Sequence, residues 1–288
     1  MSVAQLCEEF DKKLRVPLEA DKYDEALDEI FSNPSEDAGP ECHEKKETVI
    51  TRAYQDHQAS RKYLAQHLKA NLSFSISLFE TFSTKSVHVF VGVFNGREDT
   101  IPLLKELEYR IQSKKDKNIH FLLSCVLQLL SKFDYKFNDL RWLIRTLCLR
   151  FYTPEISSIG LVIFSQMDMK FHDDFEPTLL SFIDGLVTEA EAGIGDDPVS
   201  LVIDILTELY PAFTTLCSSV VLGKELDQLL QKQATARGND KVFLIKLFKL
   251  LIVGCIDETV RNNIAENYLN IIEVAMQTST FEVYCALI

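Results

Sequence analysis

Residues Gly185–Lys224 read GLVTEAEAGIGDDPVSLVIDILTELYPAFTTLCSSVVLGK, and the order of residue types there decides the fold class. Gly193 and Gly195 suit the positive φ angles that end a helix. Asp196 or Asp197 can cap the next one, with Pro198 in its first turn, where a missing N–H leaves no bond unmade. Val199, Val202, Ile203, Leu206 and Leu209 then share one face at spacings of three and four. Pro211 stops that helix, and Phe213, Leu216, Cys217, Val220 and Val221 form the face of another. Neither helix can bury its apolar face alone. Two short helices bent at a proline are the unit of a stacked array, so the reading is all-α: an armadillo- or HEAT-like α-solenoid, a right-handed superhelix of helical repeats.

Composition agrees. Apolar residues make up 47% of the 288, with 19 Phe against a single Trp and only 10 Gly and 8 Pro. Such a chain has core to spare, each buried large side chain being worth about 1.5–3 kcal/mol. The charge is uneven: −8 over residues 1–49, +7 over 50–150, −11 over 151–236 and −1 over 237–288. An overall −13 argues against nucleic acid, which needs a basic footprint. The seven cysteines are scattered and odd in number, as expected of reduced core thiols in the cytosol. No N-terminal signal is recognisable. The most apolar run, from Val242, is too short and too charged to span a bilayer, so a soluble cytoplasmic protein without membrane contact is expected.

The rest of the chain fits the same plan. Residues 1–31 are expected to form an N-terminal helical pair (Val3–Leu14 and Asp21–Phe31), 32–44 a flexible acidic linker, and 45–288 the helical repeats. Further helices are expected over Lys45–His67, Leu72–Phe82, Asp99–Ile111, Asn118–Phe133, Phe137–Phe151, Pro154–Met167 and Phe175–Glu191. Beyond Gly223 the pattern continues to Gln277. SVHVFVGVF, Ser86–Phe94, alternates valines as a strand would, but no second strand is near to pair with it, so a buried helix is expected. The final run, Ser279–Ile288, begins a helix and stops on apolar residues, as a piece of a longer protein would.

Catalytic patterns are missing: no GxSxG, no GxxxxGK[ST], no HExxH, and no CxxC or HxxxH pair for a metal. His172-Asp173-Asp174 has cation-binding residue types, which an acidic helix start explains as well. No enzyme activity, cofactor or metal is therefore expected. The surface that stands out is FNDLRWLIRTLCLRF. With Leu140, Leu143, Ile144 and Leu147 turned to the core, Arg141 and Arg145 lie one turn apart, with Trp142 and Arg150 near, a composition suited either to binding another protein or, as a solvated stripe, to pairing with the chain's own acids.

Four stretches carry a resemblance: ITRAYQDHQASRKYLAQHL (Ile50–Leu68), SVHVFVGVF (Ser86–Phe94), VTEAEAGIGDDPVSLVIDILTELYPAFTTLCS (Val187–Ser218) and CIDETVRNNIAENYLNIIE (Cys255–Glu273). Together they resemble the N-terminal and central part of the fungal UCS-family myosin chaperones. The resemblance implies a co-chaperone that helps myosin motor domains fold and act in endocytosis and other actin-based processes, alongside heat-shock chaperones. It also implies that the myosin-binding UCS region lies beyond Ile288, and that the tetratricopeptide domain of animal relatives has no counterpart here. This part would then be a spacer and a dimerisation region, through the polar helix Thr48–His67 or the Arg141/Trp142/Arg145 face. The alternative is an adaptor or tethering solenoid without a chaperone role, against which the single Trp142 counts.

Overall fold

A computed structural model of the chain describes residues 20–32, 40–113, 118–150, 153–191 and 198–209, with 212, 213, 216, 217 and a few positions between 258 and 269. The predicted helix Val3–Leu14, those beyond Gly223 apart from the scattered helical positions between 258 and 269, the glycines of 193–195 and Pro211 lie outside the described residues. The described elements are α-helices and one 3-10 turn, with no strand among them, the armadillo-like, all-α architecture read from the sequence. They fall into two compact units, divided after Tyr135.

The first unit contains α1 (Ala20–Ser32), α2 (Pro40–Asp56), α3 (Gln58–Ala70), α4 (Leu72–Glu80), a 3-10 turn (Thr84–Ser86), α5 (Val87–Gly92), α6 (Arg97–Ser113) and α7 (Ile119–Lys132). Tyr23, Ala26, Leu27 and Ile30 of α1 recur at three and four and are all buried. α1 packs on α2 and α3, not apart from them. Polar contacts fix the docking: the Tyr23 hydroxyl donates to Asp56, the Tyr63 hydroxyl donates to Asp28 at 2.8 Å, and Phe31 stacks on His67 at 5.0 Å. Helix α2 begins at Pro40, so residues 40–44, assigned to the linker from the sequence, are helical.

The helix expected over Lys45–His67 is broken at His57, whose φ of −136° and ψ of 133° are extended. Arg61 holds both sides of the break. Its Nε donates to the Tyr54 carbonyl at 2.8 Å, occupying an acceptor that the end of α2 leaves open, and its guanidinium lies 4.3 Å from the Tyr54 ring centre. Asn71 caps α4 by accepting from the Phe74 N–H at 3.1 Å, and Asn118 caps α7 by accepting from the Phe121 N–H at the same distance.

Within Ser86–Phe94 the helix is α5, Val87–Gly92, and no residue of the stretch is in a strand. Val87, Val89, Phe90, Val91, Val93 and Phe94 are all buried and His88 is exposed. A helix enclosed on nearly every side has no amphipathic period, which is why its sequence resembles a strand. Phe90 is its centre, with ring contacts to Phe79 (4.8 Å), Phe94 (5.9 Å) and Phe121 (6.1 Å). Gly92 admits the ring of Tyr54, since a Cβ there would stand 2.7 Å from Tyr54 Cζ. Gly96, at φ +98°, turns the chain into α6. Because α6 starts at Arg97, Pro102 falls in its second turn, not the first, on the exposed side. Arg110 joins α6 to α4: it donates to Glu80 Oε2 at 3.0 Å, to the Ser73 carbonyl at 2.6 Å and to the hydroxyls of Ser73 and Ser77 at 3.0 Å each.

The second unit contains α8 (Phe137–Leu140), α9 (Trp142–Cys148), α10 (Pro154–Glu191) and α11 (Pro198–Leu209). The helix expected over Phe137–Phe151 is thus two short ones, and Arg141 between them keeps helical angles (φ −53°, ψ −33°). The pair expected at Pro154–Met167 and Phe175–Glu191 is present as the two arms of α10, which meet at a kink where Phe171 is non-helical (φ −140°, ψ 36°). Each arm runs a few residues closer to the kink than the sequence pattern implied. Phe164, Met167, Phe175, Leu179 and Ile183 carry the buried face of α10 across that break. Phe175 meets Phe164 at 5.4 Å and Phe213 at 5.8 Å. Helix α11 packs against α10 and starts at Pro198, with Val202, Ile205, Leu206 and Leu209 buried.

Candidate protein-interaction surfaces

The face around Trp142 is built from its apolar underside. Leu140, Leu143, Ile144 and Leu147 are all buried, so residues 141 and 145 point away from the core. Arg141 and Arg145 are exposed, and among the described residues neither has an ion-pair partner. Trp142 is half-buried, its indole N–H donating to the Asp139 carbonyl at 3.1 Å. The Asp139 carboxylate in turn accepts from the Lys136 N–H at 3.1 Å, fixing the start of α8. Arg150 does not join this surface: it is 9% exposed. It lies past the end of α9, in a turn where its N–H bonds back to the Leu147 carbonyl at 2.9 Å. Of the four residues read from the sequence, three form the face and one is part of the packing.

A second polar surface lies in the first unit, where the outer side of α2 faces the 83–88 segment across a groove of about 340 Å³. Its walls carry Glu44, Glu47 and Arg52 on one side and Lys85 and His88 on the other. Glu47 is fixed there by Ser83, whose backbone N–H donates at 3.2 Å and whose hydroxyl donates as well. Both signs of charge are present and the lining is hydroxyl-rich, which suits a polar segment of protein chain better than an apolar ligand.

The thiols among the described core residues are unsuited to chemistry. Burial pushes Cys125 and Cys148 well up, and Cys217 up to about 12, so all three stay protonated in neutral solution. The sequence reading missed one side-chain cluster. Asp168, His172 and Glu176 of α10 bring their ligand-type atoms within 4.8 Å of one another. Their spacing of four is the signal, hidden because residues 168–174 read as a connection between two helices.

Three comparisons bear on identity. Residues 116–288 match the family described as UNC45-central, myosin-binding striated muscle assembly central. The SWI5-dependent HO expression protein 4 of Saccharomyces cerevisiae is 38% identical over 299 aligned residues, covering 100% of this chain and 38% of that protein. A solved structure, the crystal structure of She4p, superposes with a TM-score of 0.84 at 37% identity, covering 99% of this chain and 39% of the other. The chain therefore spans well under half the length of the relatives it matches. With the family model matched over more than half of its residues, and the resemblance read from its sequence agreeing, this chain belongs to the UCS family of myosin-binding proteins, whose central segment that model describes.

Proposed function

We propose that this chain is the N-terminal and central part of a co-chaperone that assists folding and function of myosin motor domains in actin-based processes of the cytoplasm. In this reading its own part is that of a spacer: it carries the client-binding region, and self-association runs through the exposed Arg141/Trp142/Arg145 face or through α2 and α3. The observation that carries it is the match of residues 116–288 to a family described as myosin-binding. The all-α stack of described helices supports it, as the superposition with the crystal structure of She4p does. Cooperation with heat-shock chaperones and a role in endocytosis belong to the same reading.

The test is capture of purified myosin motor domain by the full-length parent and by residues 1–288. Capture by the parent with weak or no capture by this segment supports the reading; capture by neither overturns it. For self-association, sedimentation velocity should give a concentration-dependent dimer that Arg141→Glu weakens. A monomer at high concentration, the same in both proteins, removes the dimerisation role.

A further inference from the structure

The Asp168–His172–Glu176 row lies on the open side of α10 and brackets the backbone break at Phe171. Asp168 Oδ1 is 2.9 Å from His172 Nδ1, and in the neutral imidazole this contact favours the tautomer with its proton on Nδ1 and a lone pair on Nε2. On that second side stands Glu176 Oε2, at 4.0 Å. This is beyond hydrogen-bond reach, so Glu176 is not hydrogen-bonded to Nε2. The separation is close to the span of two atoms bound to one metal. With Zn–N and Zn–O each about 2.0–2.2 Å, neighbouring ligands of a tetrahedral zinc lie about 3.4 Å apart. A carboxylate that accepts from the remote nitrogen of a ligating histidine is the usual supporting arrangement at such centres. His172 is 65% exposed, so the open coordination positions face water.

We propose that α10 binds one divalent transition cation of the zinc class through His172 Nε2 and the Glu176 carboxylate, with Asp168 orienting the imidazole from behind. The remaining positions are filled by water or by a side chain of another protein. Both ligands follow Phe171, so the ion sits on the second arm of α10, and the Asp168–His172 hydrogen bond is the contact that spans the break.

The test uses the whole chain and Zn²⁺ alone, titrated against a chromophoric competitor, with the His172 ring signals followed by NMR. One site per chain is expected, with the His172 signals shifting on binding. His172→Ala should weaken binding at least about a hundredfold and Glu176→Gln at least tenfold. Asp168→Asn should weaken it about tenfold, the lower end for a residue acting through a ligand. Asp173→Asn, whose side chain lies outside the row, should leave it unchanged. These residues are at the surface, and unchanged circular dichroism of each variant establishes that it is folded. No binding at about 100 µM Zn²⁺, or binding that survives His172→Ala, overturns the proposal.

Discussion

Replacing Arg110 by methionine tests the packing argument of the first unit most severely. Methionine keeps much of the volume and removes the charge. Arg110 and Glu80 are 12% and 13% exposed, so water reaches neither freely. The wild-type guanidinium is occupied on all sides, by Glu80, by Glu106 at 3.2 Å, and by the carbonyl and hydroxyls of α4. The substitution takes the guanidinium away from Glu80, a nearly enclosed carboxylate. Stranding one partner of a buried pair costs about 3–5 kcal/mol, and the residual exposure places this one near the lower figure. At about 2–4 °C per kcal/mol for a chain of this size, the melting temperature should fall by roughly 10 °C. Far-UV circular dichroism during heating reads the change, and a urea titration supplies the free energy. The sharper arm is the double variant Arg110→Met/Glu80→Gln. Neutralising the Glu80 carboxylate should restore more than half of the loss, because the penalty lies in keeping a charge in a nearly enclosed position after its guanidinium is gone. The reasoning is refuted by a loss below about 1 kcal/mol for the single variant, or by a double variant no more stable than the single.

Three further outcomes follow from the same geometry. Gly92→Ala should destabilise the first unit by about 1 kcal/mol, because Tyr54 must vacate the Cβ position; in a Tyr54→Ala background the same change should be neutral or slightly stabilising, which paired urea titrations measure. The hydrogen bond from Lys69 at 2.5 Å, helped by the Asn95 N–H, holds the Asp99 carboxyl below its ordinary value. A depressed folded-state value gives stability that is present above the unfolded value near about 3.9 and lost as pH falls through the folded one. Lys69→Met should therefore raise the NMR titration midpoint of Asp99 and change acid stability by under about 1 kcal/mol, as the pair is a third exposed. Finally, a thiol reagent mapped by mass spectrometry should label half-buried Cys42 in the native protein and spare Cys125, Cys148 and Cys217 until denaturant is added. Labelling of Cys125 at the rate of Cys42 contradicts the burial described.

Helices bounded by local chemistry were legible in the sequence. Asn118 and Pro198 mark their helix starts by rules of one or two residues, and α7 and α11 begin where those rules put them. The core face Leu140/Leu143/Ile144/Leu147 was equally plain, because a spacing of three and four has one geometric solution. What escaped depends on contacts distant in sequence. The break at His57 is held by Arg61 reaching back to Tyr54, which no propensity records. The acidic residues 172–174 read as a helix start, and a helical arm does begin there, directly after the non-helical Phe171. What the sequence did not show is how short the junction is, with Phe164 and Phe175 in ring contact across it. Those acids do occupy the first turn after the break, where the helix dipole favours them. Arg150 looked like part of the arginine face because the helix was extended too far; α9 ends at Cys148 and the side chain is carried into the packing.

The docking of α1 has a practical bearing on how this protein is handled. A cloning boundary drawn after Ser32, at the stretch that reads as a natural joint, would strip away Tyr23, Leu27 and Ile30 and wet the oily sides of α2 and α3 beneath them. Each of those three side chains is worth about 1.5–3 kcal/mol when enclosed, so the shortened product would be sticky and prone to precipitate. Any boundary that keeps Ala20–Ser32 attached keeps that cover over α2 and α3.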